Sequence, residues 1–177
     1  MTMGADFELT YDELRAVARF AVESAQTVLP VFEEARPDDG RPRAAIDAAH
    51  EFISGARRSR LQRLTSIDAH RAAAEAPSIP ARLAARAAGD AGAAAYLHPI
   101  ARATQVGHIL RASACAALVA ELVRPEKPDV ADKTLRDIAV YADPLVVEVL
   151  RRYPPAVPGG ERLAQLMSRL DGLLRAR

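Results

Sequence analysis

The residues best suited to chemistry lie in one stretch between two helical patterns, Leu29 to Phe52. Seven charged side chains lie within residues 33–43 of this stretch. They are Glu33, Glu34, Arg36, Asp38, Asp39, Arg41 and Arg43. Guanidinium and carboxylate groups at this density form bidentate hydrogen bonds, with each other or with a charged partner. Aspartates in a turn also cap free backbone N–H groups, which is a structural role. The pattern predicts a charged turn, whose candidate partner-binding residues are Arg36, Asp38, Asp39, Arg41 and Arg43.

The histidines and two aspartates are the candidates for a metal site or an acid–base centre. A metal-binding pair on one helix needs i, i+4 spacing or similar, and no two histidines are so placed. Asp47 and His50 are three residues apart and can form an exposed pair on one helix face. The other interpretation is separate histidines that pack or lie on the surface. The sequence predicts no metal and no cofactor, but a tertiary cluster stays open, and its candidate ligands are His70, Asp90, His98 and His108.

The sequence has no nucleophile or phosphate-binding signature. It contains no G-x-S-x-G elbow, no Walker A loop and no G-x-G-x-x-G loop. The single cysteine, Cys115, lies in the apolar run SACAALVAEL, where burial raises the pKa of a thiol and makes it unreactive. We therefore predict no catalytic residue and interpret Cys115 as a core thiol.

Overall charge and composition exclude several functional classes. The 177 residues carry 24 basic and 23 acidic side chains, a net charge of +1. Arg57, Arg58, Arg60 and Arg63 give one predicted helix a basic edge, but nucleic-acid binding would need more net charge and stacking aromatics. A solvated helix face is the better interpretation, and we predict no nucleic-acid partner.

The N-terminal region and the longest apolar run favour a cytoplasmic protein. The first residues, MTMGADFELTYDEL, are acidic and lack the basic and apolar regions of a signal peptide. The longest apolar run, Ala112 to Ala120, is far shorter than the roughly 20 residues of a membrane span. We predict a cytoplasmic location, no membrane partner and, with half of the residues hydrophobic, a single domain over residues 8–177.

Two amphipathic helices must position the charged turn. Thr10 and Glu13 form a capping box in front of a long apolar stripe, and Pro30 should kink or end that helix, with a further turn to Ala35 possible. The second helix is predicted to start near Pro42 and stop at Gly55.

Further helical patterns fill the rest of the chain, and none shows the period-two alternation of a strand. The third helix is predicted over roughly residues 58–76, with Leu61, Leu64 and Ile67 as buried anchors, and the fourth over 78–97. A fifth, nearly all apolar helix is expected from about Pro99 to Val123, followed by helices from Asp129, Asp143 and Glu161. The fold class is therefore all-α, a bundle of about seven to eight helices, with the core at 10–123 and the C-terminal helices at 129–177 packed on it.

The segment from Leu14 to about Leu122 resembles the Imm5-like family of immunity proteins from bacterial polymorphic toxin systems. The segments that carry the resemblance are LPVFEEARPDD, RPRAAIDAA, IDAHRAAAEA and AARAAGDAGAAAY. The Pro-Asp-Asp turn followed by Arg-Pro-Arg is their most specific feature. The resemblance implies a helical, non-catalytic protein that binds a protein toxin and neutralises it.

Three hypotheses follow. The first is the binding protein just described, with the Arg/Asp turn as the surface to test. The second is a metal-dependent or other enzyme with a His/Asp site between helices. The third is a self-associating domain in which the leucine stripe of the last helix, Glu161 to Arg177, forms a homodimer, although this stripe can equally pack on its own core.

Overall fold

The computed structural model describes residues 7–177, which form eight α-helices and two short 3₁₀ helices without a strand in this range. The α-helices are α1 (Tyr11–Ala35), α2 (Arg41–Ile53), α3 (Arg60–Ala74), α4 (Ile79–Ala93), α5 (Gly107–Val123), α6 (Val130–Tyr141), α7 (Pro144–Arg151) and α8 (Arg162–Arg175). The 3₁₀ turns span Ala94–Tyr96 and Ala103–Val106. The predicted all-α, multi-helix bundle is confirmed.

Local signals set the ends of α1 as the sequence predicts. Thr10 Oγ1 accepts a hydrogen bond from Glu13 N at 3.2 Å, while Glu13 Oε2 accepts one from Thr10 N at 2.8 Å, which completes the capping box. Pro30 lies inside the helix, and α1 continues one further turn to Ala35. The helix ends where Arg36 N donates to Phe32 O at 2.8 Å.

The chain reverses through residues 36–40 and enters α2 with Pro42 in the first turn, as predicted. Just after α2, Gly55 has a φ of 112°, a left-handed conformation that strongly favours glycine, and it ends the helical path. The turn between α1 and α2, together with the charged residues on either side of it, is called the corner below (residues 33–43).

Two alanine-rich helices form the centre of the bundle. α4 packs against α1, α2, α3 and α5, and α5 in turn packs against α1, α6 and α8. A Cβ atom on Gly92 would lie 3.4–3.5 Å from atoms of Ser66 and Ala45, so the absence of a side chain gives α2 and α3 close access to α4.

The fifth helix begins later than predicted. His98 to Arg102 forms tight turns, in which Ile100 N donates to His98 O at 2.8 Å, and α5 starts only at Gly107. By length and composition alone, the helical segment 103–123 could cross a membrane, and it is the one such segment in the described range. In the structure, however, 67% of its most apolar part is buried inside the bundle. A central core helix meets the same criterion, and α5 is such a helix, packed against α1, α4, α6 and α8.

The buried face of α3 is not the one that the sequence analysis predicts. Leu61, Leu64 and Ile67 are 41%, 49% and 40% exposed, although we expected them to be buried anchors. The inner face consists of small or polar side chains, namely Gln62, Ser66, Ala69, Ala72 and Ala73. The physical reason is the close approach of α4, because a helix packed this near to glycines and alanines has room only for small side chains.

Of the C-terminal helices, α6 and α8 pack on α5, whereas α7 packs on α1 and α8. α7 is joined to α1 by an ion pair between Arg152, directly after α7, and Glu13. Three leucines of α8, Leu166, Leu170 and Leu174, are buried in the same core cluster as the α1 and α5 side chains. The leucine stripe therefore packs inside its own chain, which is one of the two arrangements that the sequence allowed.

Candidate functional site

The charges of the corner are largely neutralised within the corner itself. Arg41 Nε and Nη2 donate to the two carboxylate oxygens of Asp39 at 2.9 and 2.7 Å, in a bidentate pair. The backbone N–H of Arg41 donates to the same carboxylate at 3.2 Å. These hydrogen bonds from Arg41 lower the pKa of Asp39, so the carboxylate stays ionised well below neutral pH.

The remaining arginines of the corner tie it to neighbouring helices. Arg41 Nη2 also donates to Glu75 Oε2 at 2.5 Å, and Arg36 Nη2 donates to Glu75 O at 3.0 Å. Because Glu75 caps the C-terminus of α3, these bonds fix the corner against the end of that helix. Arg43 forms a second bidentate pair with Glu33, at 2.6 and 2.8 Å.

The structure therefore brings four of the five candidate partner-binding residues into internal bonds. Arg36, Asp39 and Arg41 meet around Glu75, whereas Arg43 pairs with Glu33 on α1. Asp38 is exposed and makes no side-chain hydrogen bond or ion pair to any residue in 7–177. Their role in binding a partner stays a prediction, with Asp38 the most available carboxylate.

A second surface lies on the solvent side of α3, where the sequence indicated the basic edge but not the exposed apolar stripe beside it. We call it the α3 outer face and define it as Arg57, Arg60, Leu61, Arg63, Leu64 and Ile67. All six residues are exposed. The three arginines form no hydrogen bond or ion pair with any side chain or carbonyl of the described chain. Competing helical periodicity in the sequence could have revealed this face, because the stripe Gln62, Ser66, Ala69 and Ala73 has equally good spacing.

A buried ion pair lies at the interface of α3, α4 and α5. Asp90 is 3% exposed, and its Oδ1 atom is 3.1 Å from Arg111 Nη1 and 3.7 Å from His70 Nε2. Its Oδ2 atom is buried without a hydrogen-bond partner among the described residues. Burial raises the pKa of Asp90, and the neighbouring Arg111 guanidinium opposes this effect.

Comparison with known proteins identifies the family. The family described as Imm-5 like putative immunity protein matches residues 8–143, which is more than three quarters of the 177 residues. This protein belongs to the Imm5-like family. No curated protein and no solved structure matches the chain significantly.

The family match contains all the surfaces described so far. It covers α1 to α6, and therefore the corner, the α3 outer face and Asp90, whereas α7 and α8 lie outside it. The match extends through α6, beyond the segment ending near Leu122 on which the resemblance was based.

The histidines of this Imm5-like protein are mostly separate. His50 Nε2 lies 2.9 Å from Gln26 Nε2 of α1. His50 therefore contacts α1 and does not form the pair with Asp47 that the sequence suggested. His98 has an exposed side chain, and its backbone N–H and C=O bind Gln105 and Tyr153. Residues 7–177 contain no group of three or more His, Cys, Asp and Glu side chains that could hold a metal ion.

Two further buried groups of the Imm5-like protein have shifted pKa values. His108 Nδ1 is buried without a hydrogen-bond partner in the described chain, and burial lowers the pKa of its ring, which favours the neutral form. Burial also raises the pKa of Cys115 to about 12. A thiol with this pKa is not ionised near neutral pH and is a poor nucleophile, so the interpretation of Cys115 as a core thiol is confirmed.

A shallow groove separates α1 from α6. Its volume is about 310 Å³, and its lining includes Phe20, Ser24, Ile138 and Tyr141. Ser24 Oγ and Ser113 Oγ form a buried hydrogen bond of 2.7 Å beneath it. The lining of the groove is mainly apolar, and its two charged residues, Glu23 and Asp137, are both acidic.

Proposed function

We propose that this Imm5-like protein is an immunity protein that neutralises a bacterial toxin by direct binding, without catalysing a reaction. The observation that carries the proposal is the family match over residues 8–143, which includes every helix that forms the two charged surfaces. We also propose that it acts in the cytoplasm, where it would protect the cell that makes the toxin.

The packing of the bundle supports this role. A protein that blocks another by occlusion loses less entropy on binding when its surface is already rigid. The corner is fixed to α3 by the Arg36 and Arg41 bonds to Glu75, and α3 is fixed to α4 by Ser66 Oγ, which donates to Gly89 O at 2.8 Å. Both candidate surfaces are therefore held in place before a partner arrives.

We retain the corner as a proposed partner contact. The exposed carboxylate of Asp38 is open to an incoming basic side chain. The paired groups Arg36, Asp39, Arg41 and Arg43 can add further hydrogen bonds only through the atoms that their internal partners leave unused. We therefore expect the corner to contribute to specificity at the rim of an interface more than to affinity.

The experiment is co-expression with the toxin domain encoded beside the gene for this protein. We expect the full chain to restore growth of cells that express the toxin domain, and the two purified proteins to co-elute as a stoichiometric complex. Failure both to protect and to co-elute would refute the proposal. A catalytically inactive toxin variant serves as the control for toxicity during expression.

Titration of the purified proteins separates binding from catalysis. If the protein acts by occlusion, toxin activity should fall linearly to zero as the molar ratio approaches equivalence. Protection at far less than one equivalent, without a complex, would instead favour an enzyme that modifies the toxin or its product. The His70–Asp90 pair would then be the first site to substitute.

A further inference from the structure

We propose that the α3 outer face is a docking surface for a protein partner whose contact region has an apolar centre and a rim of carboxylates. Under the proposed function, on which this inference rests, that partner is the toxin. The inference names the surface and the chemistry of its partner, neither of which follows from membership of the family.

The apolar part of this surface is a continuous stripe. Leu61, Leu64 and Ile67 are spaced three residues apart, so they follow one another along the same side of the helix over about 9 Å. They are 41%, 49% and 40% exposed, whereas the inner side of the same helix buries one glutamine, one serine and three alanines. Clustered exposed aliphatic side chains on a helix are typical of protein-binding sites.

The charged part of this surface is positive and unpaired. Arg57, Arg60 and Arg63 have no hydrogen bond or ion pair to any other described residue. The only acidic side chain of α3 is Asp68, and it is occupied by Arg71 at 3.0 Å. Unpaired guanidinium groups around an apolar stripe attract carboxylates and orient an approaching partner through long-range electrostatics.

The ends of α3 are anchored, so the surface is preorganised. At the N-terminal end, Arg58 Nη1 donates to Ala95 O at 3.1 Å, and Gln62 Nε2 donates to Ala48 O at 3.0 Å. At the C-terminal end, the corner holds Glu75 through Arg36 and Arg41. A rigid platform of this kind loses little conformational entropy when a partner binds.

Charge and shape favour an acidic protein over the other occupants. A symmetric pair of copies joined at this face would bring Arg60 and Arg63 of one copy near the same residues of the other, and the one carboxylate of α3, Asp68, is already paired with Arg71. Nucleic acid would require stacking aromatic side chains. The nearest one, Tyr96, is covered by the Arg58 guanidinium at 5.1 Å and donates its hydroxyl to Ser59 O. Three aliphatic side chains at the centre suit a protein surface instead.

The test uses the full chain with the toxin domain encoded beside it and measures the Kd by isothermal titration calorimetry. We expect the double variant Arg60→Glu with Leu64→Glu to weaken the Kd by at least about 100-fold, because it reverses the charge and removes the apolar centre. Its melting temperature should stay within about 3 °C of the wild type, since both side chains are exposed.

A matched control has the same change in charge on another exposed site. Leu122 and Arg124, at the end of α5, are also exposed, and Leu122 is 41% exposed. We expect Arg124→Glu with Leu122→Glu to change the Kd by less than about threefold, because the general charge of the protein alone has a small effect. Equal weakening by both double variants would overturn the inference.

A milder variant covers the case in which the first does not fold. Arg60→Gln with Arg63→Gln keeps the helix-forming side chains and removes only the charge. We expect it to weaken the Kd about tenfold at low salt and to reduce the dependence of the Kd on salt concentration. An unchanged Kd at low salt would overturn the proposed charge complementarity.

The outcomes distinguish this inference from the proposed function. If the wild type binds the toxin and protects cells, and the folded α3 variant does both equally well, only this inference fails. If the wild type does neither, both fail. Binding of a labelled single-stranded DNA 20-mer by the wild type but not by the variant, or a dimer in light scattering that the variant abolishes, would replace the proposed partner by nucleic acid or a second copy.

Discussion

The corner and the α3 outer face are both rich in arginine, yet they differ in what a partner would meet. In the corner, Arg36, Arg41 and Arg43 each donate to an acceptor within 3.0 Å. On the α3 outer face, Arg60 and Arg63 have no acceptor within the described chain. The first region uses its charges to hold helices together, and the second leaves them free for another molecule.

This difference teaches that charge density in a sequence does not measure the charge available for binding. In the corner, Asp39 and Arg41 are two residues apart in a tight turn, so this oppositely charged pair forms without any help from the rest of the fold. On a helix, side chains meet at three or four positions apart, and Arg60 and Arg63 have no carboxylate at those distances toward solvent. Spacing relative to opposite charges therefore decides which arginines stay free.

The largest expected effect concerns the inner face of α3, which must be rigid if its outer face is a platform. Gln62 is 1% exposed, donates to Ala48 O at 3.0 Å and accepts from Ser59 N at 2.9 Å. We expect Gln62→Ala to lower the free energy of unfolding by about 2 kcal/mol, because it leaves buried polar groups unpaired. Urea unfolding measures this change.

Gln62→Met is the matched control for that substitution, because it keeps the volume and removes the hydrogen bonds. A loss of similar size in Gln62→Met would assign the effect to the hydrogen bonds, whereas full stability would assign it to the cavity. Full stability of Gln62→Ala itself would contradict the burial of this face.

The intermediate effect concerns the corner. Asp39→Ala should lower the free energy of unfolding by about 1 kcal/mol at pH 7, since it removes three hydrogen bonds in a partly exposed site. The hydrogen bonds from Arg41 hold the pKa of Asp39 in the folded state below the ordinary aspartate value of 3.8. The stabilisation is therefore complete above pH 3.8 and is lost as the pH falls through the lower folded pKa.

Asp38→Ala provides the control for the corner, because Asp38 is adjacent and exposed and has no side-chain bond among residues 7–177. Thermal unfolding of both variants at neutral and acidic pH would reveal the difference. Equal stability of the two variants at neutral pH would mean that the Asp39–Arg41 pair contributes nothing, and the contrast between the two regions would lose its energetic basis.

The smallest expected effect concerns the outer face itself. Leu64→Ala should change the free energy of unfolding by no more than about 0.5 kcal/mol, because the side chain is 49% exposed. Leu166→Ala, at a 1% exposed site in α8, should cost about 2–5 kcal/mol and is the matched comparison. A comparable loss in Leu64→Ala would show that the leucines of α3 are buried after all.

The parts of the fold that depend on neighbours in sequence could be predicted. Thr10 with Glu13, Pro42 in the first turn of α2 and Gly55 after it each act within a few residues, and each lies where the sequence placed it. The start of α5 could not be predicted as well, because Pro99 suits a helix start but the turns around His98 to Arg102 delay the helix to Gly107.

The candidate surfaces divide in the same way. The residues of the corner were visible as a charged turn, and the Arg41–Asp39 pair is a contact across two residues. The link between Arg41 and Glu75 could not be predicted from the sequence, because 34 residues separate them along the chain. The burial of Asp90 between three helices could not be predicted either. Its sequence neighbours are alanines and glycines, which do not indicate that Arg111 of α5 lies opposite.

The sequence by itself determined the all-helical class, the ends of α1 and α2, the corner and the family, because these depend on backbone preferences and contacts over a few residues. Only the tertiary structure decided which side of α3 faces the core. At Gly92, α4 lies so close to Ser66 that α3 turns its small side chains inward, and Leu61, Leu64 and Ile67 then point to solvent. The physical reason is that two stripes with the same helical spacing compete, and the space left by the neighbouring helix selects between them.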